Sequence, residues 1–164
     1  MTRTLIDTPV GPVLLVGDEA GLREIRFHGE APANAGATSN GGGAAVVAEA
    51  ARQLRAYFAG ERREFDLPLA PAGTPFQLAV WRALRDIPYG RTESYGELAR
   101  RIGRPNAVRA VGAANGANPL PIVVPCHRVI GADGSLTGYG GGLPIKQALL
   151  ELEGAEAAPG LPLG

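Results

Sequence analysis

One stretch limits the folds open to this chain more than any other: Pro121-Ile122-Val123-Val124-Pro125-Cys126-His127-Arg128-Val129-Ile130. Ile122, Val123, Val124, Val129 and Ile130 read as a short buried strand, which needs a sheet neighbour and an enclosing core. Pro125 interrupts it, and a proline inside a strand pattern marks an edge, a bulge or a bend. The only cysteine of the chain and one of its two histidines stand side by side at that interruption. A free cysteine is usually a small buried hydrophobe. An adjacent imidazole weighs against that plain role, because it is the usual partner that turns a thiol into a thiolate.

A chain of 164 residues can build one sizeable core or two small lobes. Its formal net charge is zero, so no global field draws it to nucleic acid or anionic membrane. A single cysteine excludes an intramolecular disulfide and any cysteine-cluster zinc site. No stretch reaches the length of a membrane-spanning helix, and Met1-Thr2-Arg3-Thr4 lacks the apolar core of a signal peptide. A cytoplasmic, reducing compartment is the expectation.

Residues 4–27 alternate and turn like a β-meander, with turns at 8–12 and 17–21. Residues 29–43 carry no periodicity and read as a flexible loop. Residues 44–59 carry a helical stripe (Val46, Ala50, Leu54, Tyr57, Phe58) stopped by Gly60, and 64–69 look like one more strand. Nothing grouped in this part does chemistry; His28 reads as a solvated or capping side chain.

The character changes at Thr74. Thr74-Pro75-Phe76-Gln77 is a capping box with proline at the first helical position, and Phe76, Val80, Leu84 and Ile87 continue the stripe. Ser94-Tyr95-Gly96-Glu97 is a second capping box opening a short helix that Gly103 ends. Asn106 can cap a third helix over 107–114. Two short helices joined by a glycine-containing turn outline a helix-turn-helix. Between Arg91 and Arg128 six arginines (91, 100, 101, 104, 109, 128) face only Glu93 and Glu97, a cationic excess that the zero total conceals. The third helix is made of small residues, with Arg109 its only long side chain. Such a helix suits close approach to a groove and insertion of one wedge better than reading of base edges; a small face packed on another helix is the competing explanation. Further on, Gly138-Tyr139-Gly140-Gly141-Gly142 suits a pocket wall around a planar group, and 144–152 reads as a helix. Glu153 follows in its last turn, where a carboxylate opposes the helix dipole, which points to a partner for it.

The runs 87–90, 94–99, 109–119, 122–130 and 149–154 together resemble the O6-alkylguanine-DNA alkyltransferases, over 76–154 without a break. The fold then expected is α/β (α+β): an N-terminal lobe of small β-sheet plus helix over 1–73, a C-terminal helix-turn-helix (winged-helix-like) lobe over 74–154 carrying the cysteine, and a loose tail over 155–164. The resemblance implies direct-reversal DNA repair, in which an alkylated base is flipped out and its alkyl group moves irreversibly from O6-alkylguanine, and O4-alkylthymine, onto Cys126. A free thiol with a pKa of about 8.5 is only a few per cent thiolate near neutrality, so the family's Glu–His–water–Cys relay would activate it, here through Glu153 and His127. By the same resemblance Asn118 is the hinge between recognition helix and active-site strand, and Tyr95 turns the nucleotide and donates a proton to the departing guanine. Arg109 fills the gap in the base stack, with Ala110, Ala113, Ala114 and Arg128 as further DNA contacts. Tyr139, Gly140, Val129 and Pro121 line the alkyl pocket. No cofactor and no metal are implied. The partner is double-stranded DNA carrying alkylated guanine, bound in the minor groove with little sequence preference by a monomer, with cooperative binding along DNA and nucleoid association also in view and no membrane role. Gly140 stands where some members have serine, which bears on substrate range. The rival readings are a non-catalytic sensor of alkylated guanine, a Cys-His-Glu hydrolase and a helix-turn-helix regulator.

Overall fold

The computed structural model describes residues 1–27, 38–39, 42–136, 139 and 141–155. The expectations for His28, for most of the 29–43 loop, for Gly140 and for the tail beyond 155 lie outside those residues. The chain divides into two compact units, Met1–Ala72 and Gly73–Gly164.

The first unit is an antiparallel sheet in the order β3-β2-β1-β4, formed by β1 (Thr2–Thr8), β2 (Gly11–Asp18), β3 (Gly21–Phe27) and β4 (Thr38–Ser39). The β1–β2 hairpin closes with Thr8 opposite Gly11, and the Thr8 hydroxyl bonds the Val10 amide and the Gly11 carbonyl. Gly21 has φ 143°, and a Cβ there would sit 2.5 Å from the Pro68 carbonyl oxygen, so only glycine fits the second turn. Helix α1 (Ala44–Phe58) buries Val47, Ala50, Ala51 and Leu54 against the sheet, whose Val13, Leu15 and Ile25 are also buried. The strand expected over 64–69 does not form. Leu22 and Leu69 make one isolated bridge, and the buried Gln53 amide bonds both the N–H and the C=O of Asp66, taking the place of a neighbouring strand.

Among its described residues the second unit is helical, with one short parallel pair of strands. Helix α2 (Pro75–Leu84) starts at the Thr74–Gln77 capping box, and α3 (Tyr95–Arg101) at the Ser94–Glu97 box. Helix α4 (Val108–Gly116) has Ala107 at its cap with no side-chain bond, so Asn106 does not cap it. Trp81 of α2 donates its indole N–H to the Ala114 carbonyl at 2.8 Å, fixing α4 across α2. Strand β5 (Glu93–Ser94) pairs in parallel with β6 (Val129–Ile130), which places the start of α3 beside the segment that follows Cys126. Helix α5 (Leu143–Leu152) packs on the one-turn 3-10 helix Cys126–Arg128. The apolar run read as a strand is one only at Val129–Ile130: residues 121–124 form turns, and Ile122 sits at φ 75°. For a β-branched residue that conformation is a true outlier and must be held by its surroundings.

Candidate active site

Asn118 supplies the holding. It lies just beyond α4; its side-chain carbonyl accepts from the Leu120 amide at 3.0 Å, and its amide donates to the Val124 carbonyl at 2.9 Å. These two bonds replace the sheet partners that an extended 120–124 segment would need. The strained turn delivers Cys126 to the start of the 3-10 helix, 5% exposed. From α4 itself the buried Asn115 amide reaches the Cys126 carbonyl at 3.4 Å. Burial pushes the thiol above its ordinary range, while Asn118, the Lys146 charge and Tyr139 pull the other way.

Behind the thiol lies a buried chain of charge. His127 is fully enclosed, and its Nε2 is 2.8 Å from Oε2 of Glu153. Arg128 grips the same carboxylate with two bonds, Nε to Oε1 at 2.8 Å and Nη2 to Oε2 at 3.0 Å. It gives a third to the Ile87 carbonyl at 2.6 Å and stacks 5.7 Å from the Tyr89 ring centroid. Burial alone would raise the Glu153 carboxyl, but His127 and Arg128 outweigh it and hold it at about 2. Burial lowers His127 against the pull of Glu153, so the ring is neutral at neutral pH. An ionised carboxylate can only accept, so the single ring proton belongs on Nε2. Nδ1 is then an unprotonated, basic nitrogen, buried and without a hydrogen-bond partner among the described residues. The partner that the position of Glu153 called for is thus a pair, His127 and Arg128.

Five of the residues singled out from sequence gather here: Cys126, His127, Glu153, Asn118 and Tyr139. Tyr95, the first residue of α3, lies against α4, its ring 3.8 Å from where a Cβ on Gly112 would be. Arg109, Ala110 and Ala113 form an exposed face of α4. Three expectations need correction. Arg128 is 6% exposed and committed to Glu153, so it presents no charge to DNA. Ala114 is buried at the Trp81 contact and is not part of the open face. Val129 is wholly enclosed in β6, and Pro121 is buried in its turn, so neither side chain lines an open pocket. One residue went unread: Lys146 of α5, 0% exposed, whose Nζ donates to the Val129 carbonyl at 2.6 Å. It is the only lysine of the chain, a signal present in the sequence.

Fold and site together define an α+β protein in which a helix pair presents a smooth helix immediately before a buried lone thiol, backed by an imidazole–carboxylate–guanidinium chain. Known proteins with this construction match over nearly the whole length. Residues 1–71 match the 6-O-methylguanine DNA methyltransferase, ribonuclease-like domain, and residues 75–155 match the 6-O-methylguanine DNA methyltransferase, DNA binding domain. A methylated-DNA–protein-cysteine methyltransferase of Methanosarcina acetivorans is 53% identical over 155 residues, 94% of this chain and 99% of that one. The crystal structure of Mycobacterium tuberculosis OGT in complex with DNA superimposes with a TM-score of 0.82 at 50% identity, covering 96% of this chain and 95% of that one. An O6-methylguanine DNA methyltransferase from Methanococcus jannaschii, at 26% identity, gives 0.63 over 93% and 94%. The chain belongs to the 6-O-methylguanine DNA methyltransferase family.

Proposed function

We propose that the chain repairs alkylated DNA by a single, irreversible transfer of the alkyl group from O6-alkylguanine to the sulfur of Cys126. The observation that carries the reading is the lone, buried thiol of Cys126 next in the chain to an imidazole whose free nitrogen is a buried base. His127 Nδ1 takes the thiol proton, directly or through one water, and Glu153 stabilises the imidazolium that forms. The thiolate attacks the alkyl carbon, the S–C bond forms, and the C–O6 bond breaks with its electron pair passing to the guanine oxygen. Tyr95 supplies a proton to the departing base. The exposed face of Arg109, Ala110 and Ala113 enters the minor groove, and Arg109 replaces the extruded nucleotide in the stack, offsetting part of an unstacking cost of a few kcal/mol. O4-alkylthymine is a further substrate in this reading. A monomer acts, in a reducing cytoplasm where an unprotected acceptor thiol survives, and it joins the nucleoid when bound.

Intact-protein mass spectrometry after mixing with duplex DNA carrying one O6-methylguanine tests the reading. A gain of one methyl per protein, absent in Cys126→Ser although that variant still binds the duplex, is the expected result. Repaired base in excess of protein would mean turnover and overturn the single-transfer mechanism. Tight binding with no mass gain would make the chain a damage sensor.

A further inference from the structure

One oxygen of Glu153 serves two neighbours. Oε2 lies 2.8 Å from His127 Nε2 and 3.0 Å from Arg128 Nη2, while Oε1 accepts from Arg128 Nε at 2.8 Å. His127 and Arg128 are consecutive, and the one-turn 3-10 helix brings both side chains to the same carboxylate; in a strand they would point to opposite faces. The guanidinium is pinned in this place. It also donates through Nη1 to the Ile87 carbonyl at 2.6 Å and sits over the Tyr89 ring, whose hydroxyl bonds the Leu152 carbonyl at the end of α5. Stability alone does not require a buried ion pair, since apolar groups of similar volume often serve as well. A permanent cation beside the imidazole therefore calls for a chemical reason.

A buried carboxylate with its charge uncompensated would draw a second proton onto the ring and leave an imidazolium, which cannot accept one from a thiol. Arginine suits the correction, because it stays charged and its planar fork spans both carboxylate oxygens. We propose that Arg128 is a positioning residue for the proton relay: by holding Oε2 together with His127 it offsets the carboxylate charge and keeps the imidazole a neutral base, with its proton on Nε2 and Nδ1 unprotonated. The charged and titratable groups about the ring are Glu153 at the end of α5, Lys146 within α5, and Arg128 and the Cys126 thiol on the 3-10 helix. Burial first, then Arg128 and Lys146, lower His127 against the pull of Glu153. When the thiol is deprotonated, its S–H bond breaks, an N–H bond forms at Nδ1, and the new ring charge faces Glu153. The shared carboxylate does not depend on the electrophile; its use in alkyl acceptance rests on the function proposed above.

The chain has two histidines, so ring-nitrogen NMR of the full chain labelled in histidine follows both, with His28→Gln to assign them and no DNA involved. We expect wild-type His127 to stay neutral and protonated on Nε2 between about pH 8 and about pH 6. In Arg128→Met, checked for folding by circular dichroism, the ring should take its second proton about one pH unit or more above the wild type, the usual effect of uncovering an opposite charge nearby. Arg128→Lys keeps a cation at the position and should titrate as the wild type does. In single-turnover methyl transfer the acid limb of the Arg128→Met pH profile should move up with the titration, and the rate should recover as pH is raised; a merely structural role would lower the rate at every pH. A wild-type ring protonated on Nδ1, or a folded Arg128→Met with an unmoved titration, overturns the proposal. If that variant does not fold, Arg128→Lys decides, and a ring that gains its second proton at higher pH there overturns it. A moved titration combined with no methyl transfer from damaged DNA by the wild type would keep the shared carboxylate and count against the alkyl-acceptor function instead.

Discussion

Glu153→Gln removes the central charge of the buried chain while keeping its shape. The carboxyl is wholly enclosed, and its pKa is about 2 against an ordinary 4.5. A depression of that size corresponds to about 3 kcal/mol favouring the ionised folded state. Because the folded pKa is depressed, this stability is fully present above about pH 4.5 and is lost as pH falls toward 2. The glutamine variant lacks it at every pH and leaves Arg128 buried without its carboxylate, so at pH 7 we expect a total loss of about 3–5 kcal/mol. Only the protonation part depends on pH. The gap between wild type and variant should narrow by about 1 kcal/mol at pH 3.5 and by about 2 kcal/mol at pH 3. Urea unfolding followed by the fluorescence of Trp81, the sole tryptophan and a buried one, reports the second unit. All other carboxylates are common to both proteins and cancel in the difference. A gap of equal size at pH 7 and pH 3 would mean that Glu153 is not held ionised, and the placement of the His127 proton on Nε2 would fall with it.

Arg109→Ala should slow repair in duplex DNA by at least tenfold and leave reaction with free O6-benzylguanine unchanged, provided that base is accepted; equal losses with both substrates would dispose of the wedge. Asn118→Ala removes the two bonds that hold the 120–124 turn and a group that eases ionisation of the thiol, so we expect about 1–3 kcal/mol of lost stability and a later thiolate band. A stability loss with an unmoved thiolate titration would confine Asn118 to a structural role. Since burial raises the Cys126 thiol, the rate of its reaction with methyl methanethiosulfonate should climb about tenfold per pH unit between pH 6 and 8. A plateau already reached at pH 7 would contradict that direction.

The parts of the fold that were readable from sequence are those set by neighbouring residues. Both capping boxes, Thr74–Gln77 and Ser94–Glu97, form as read, because each is complete within four residues. The strand over 122–124 failed for the opposite reason. Its apolar residues are buried as expected, but Asn118 captures the backbone groups that a neighbouring strand would have taken, so burial came without extension. Strand 64–69 was lost the same way, to the Gln53 amide. Arg128 looked like a surface cation because arginine usually is one; only the fold brings Glu153, 25 residues on, into contact with it. Lys146 was the missed opportunity. Lys146, Leu149, Leu150 and Glu153 follow helical spacing, and a lone lysine on such a stripe in a chain otherwise served by arginine calls for a buried partner.

Moving Arg128 inside changes what the helix pair can offer to a phosphate backbone. Of the six arginines between 91 and 128, Arg101 is also engaged, since it bonds Glu93 with two nitrogens at 2.9 and 3.0 Å and the Ala83 carbonyl at 2.8 Å. It clamps α3 to β5 and the end of α2, and freeing it would cost those bonds. The exposed cations left are Arg91, Arg100, Arg104 and Arg109. Each phosphate neutralised on duplex DNA contributes about −0.9 to the slope of log affinity against log salt. Four contacts therefore predict a slope of about −4, where six would give about −5. Fluorescence anisotropy with a labelled undamaged duplex over a range of salt measures it. Arg104→Ala should flatten the slope by about 1, whereas Arg128→Met should leave it unchanged while destabilising the second unit. If Arg128→Met flattened the slope and the variant remained fully folded, the buried guanidinium would have to leave Glu153 on binding, and the charge chain behind Cys126 would be a feature of the free protein only.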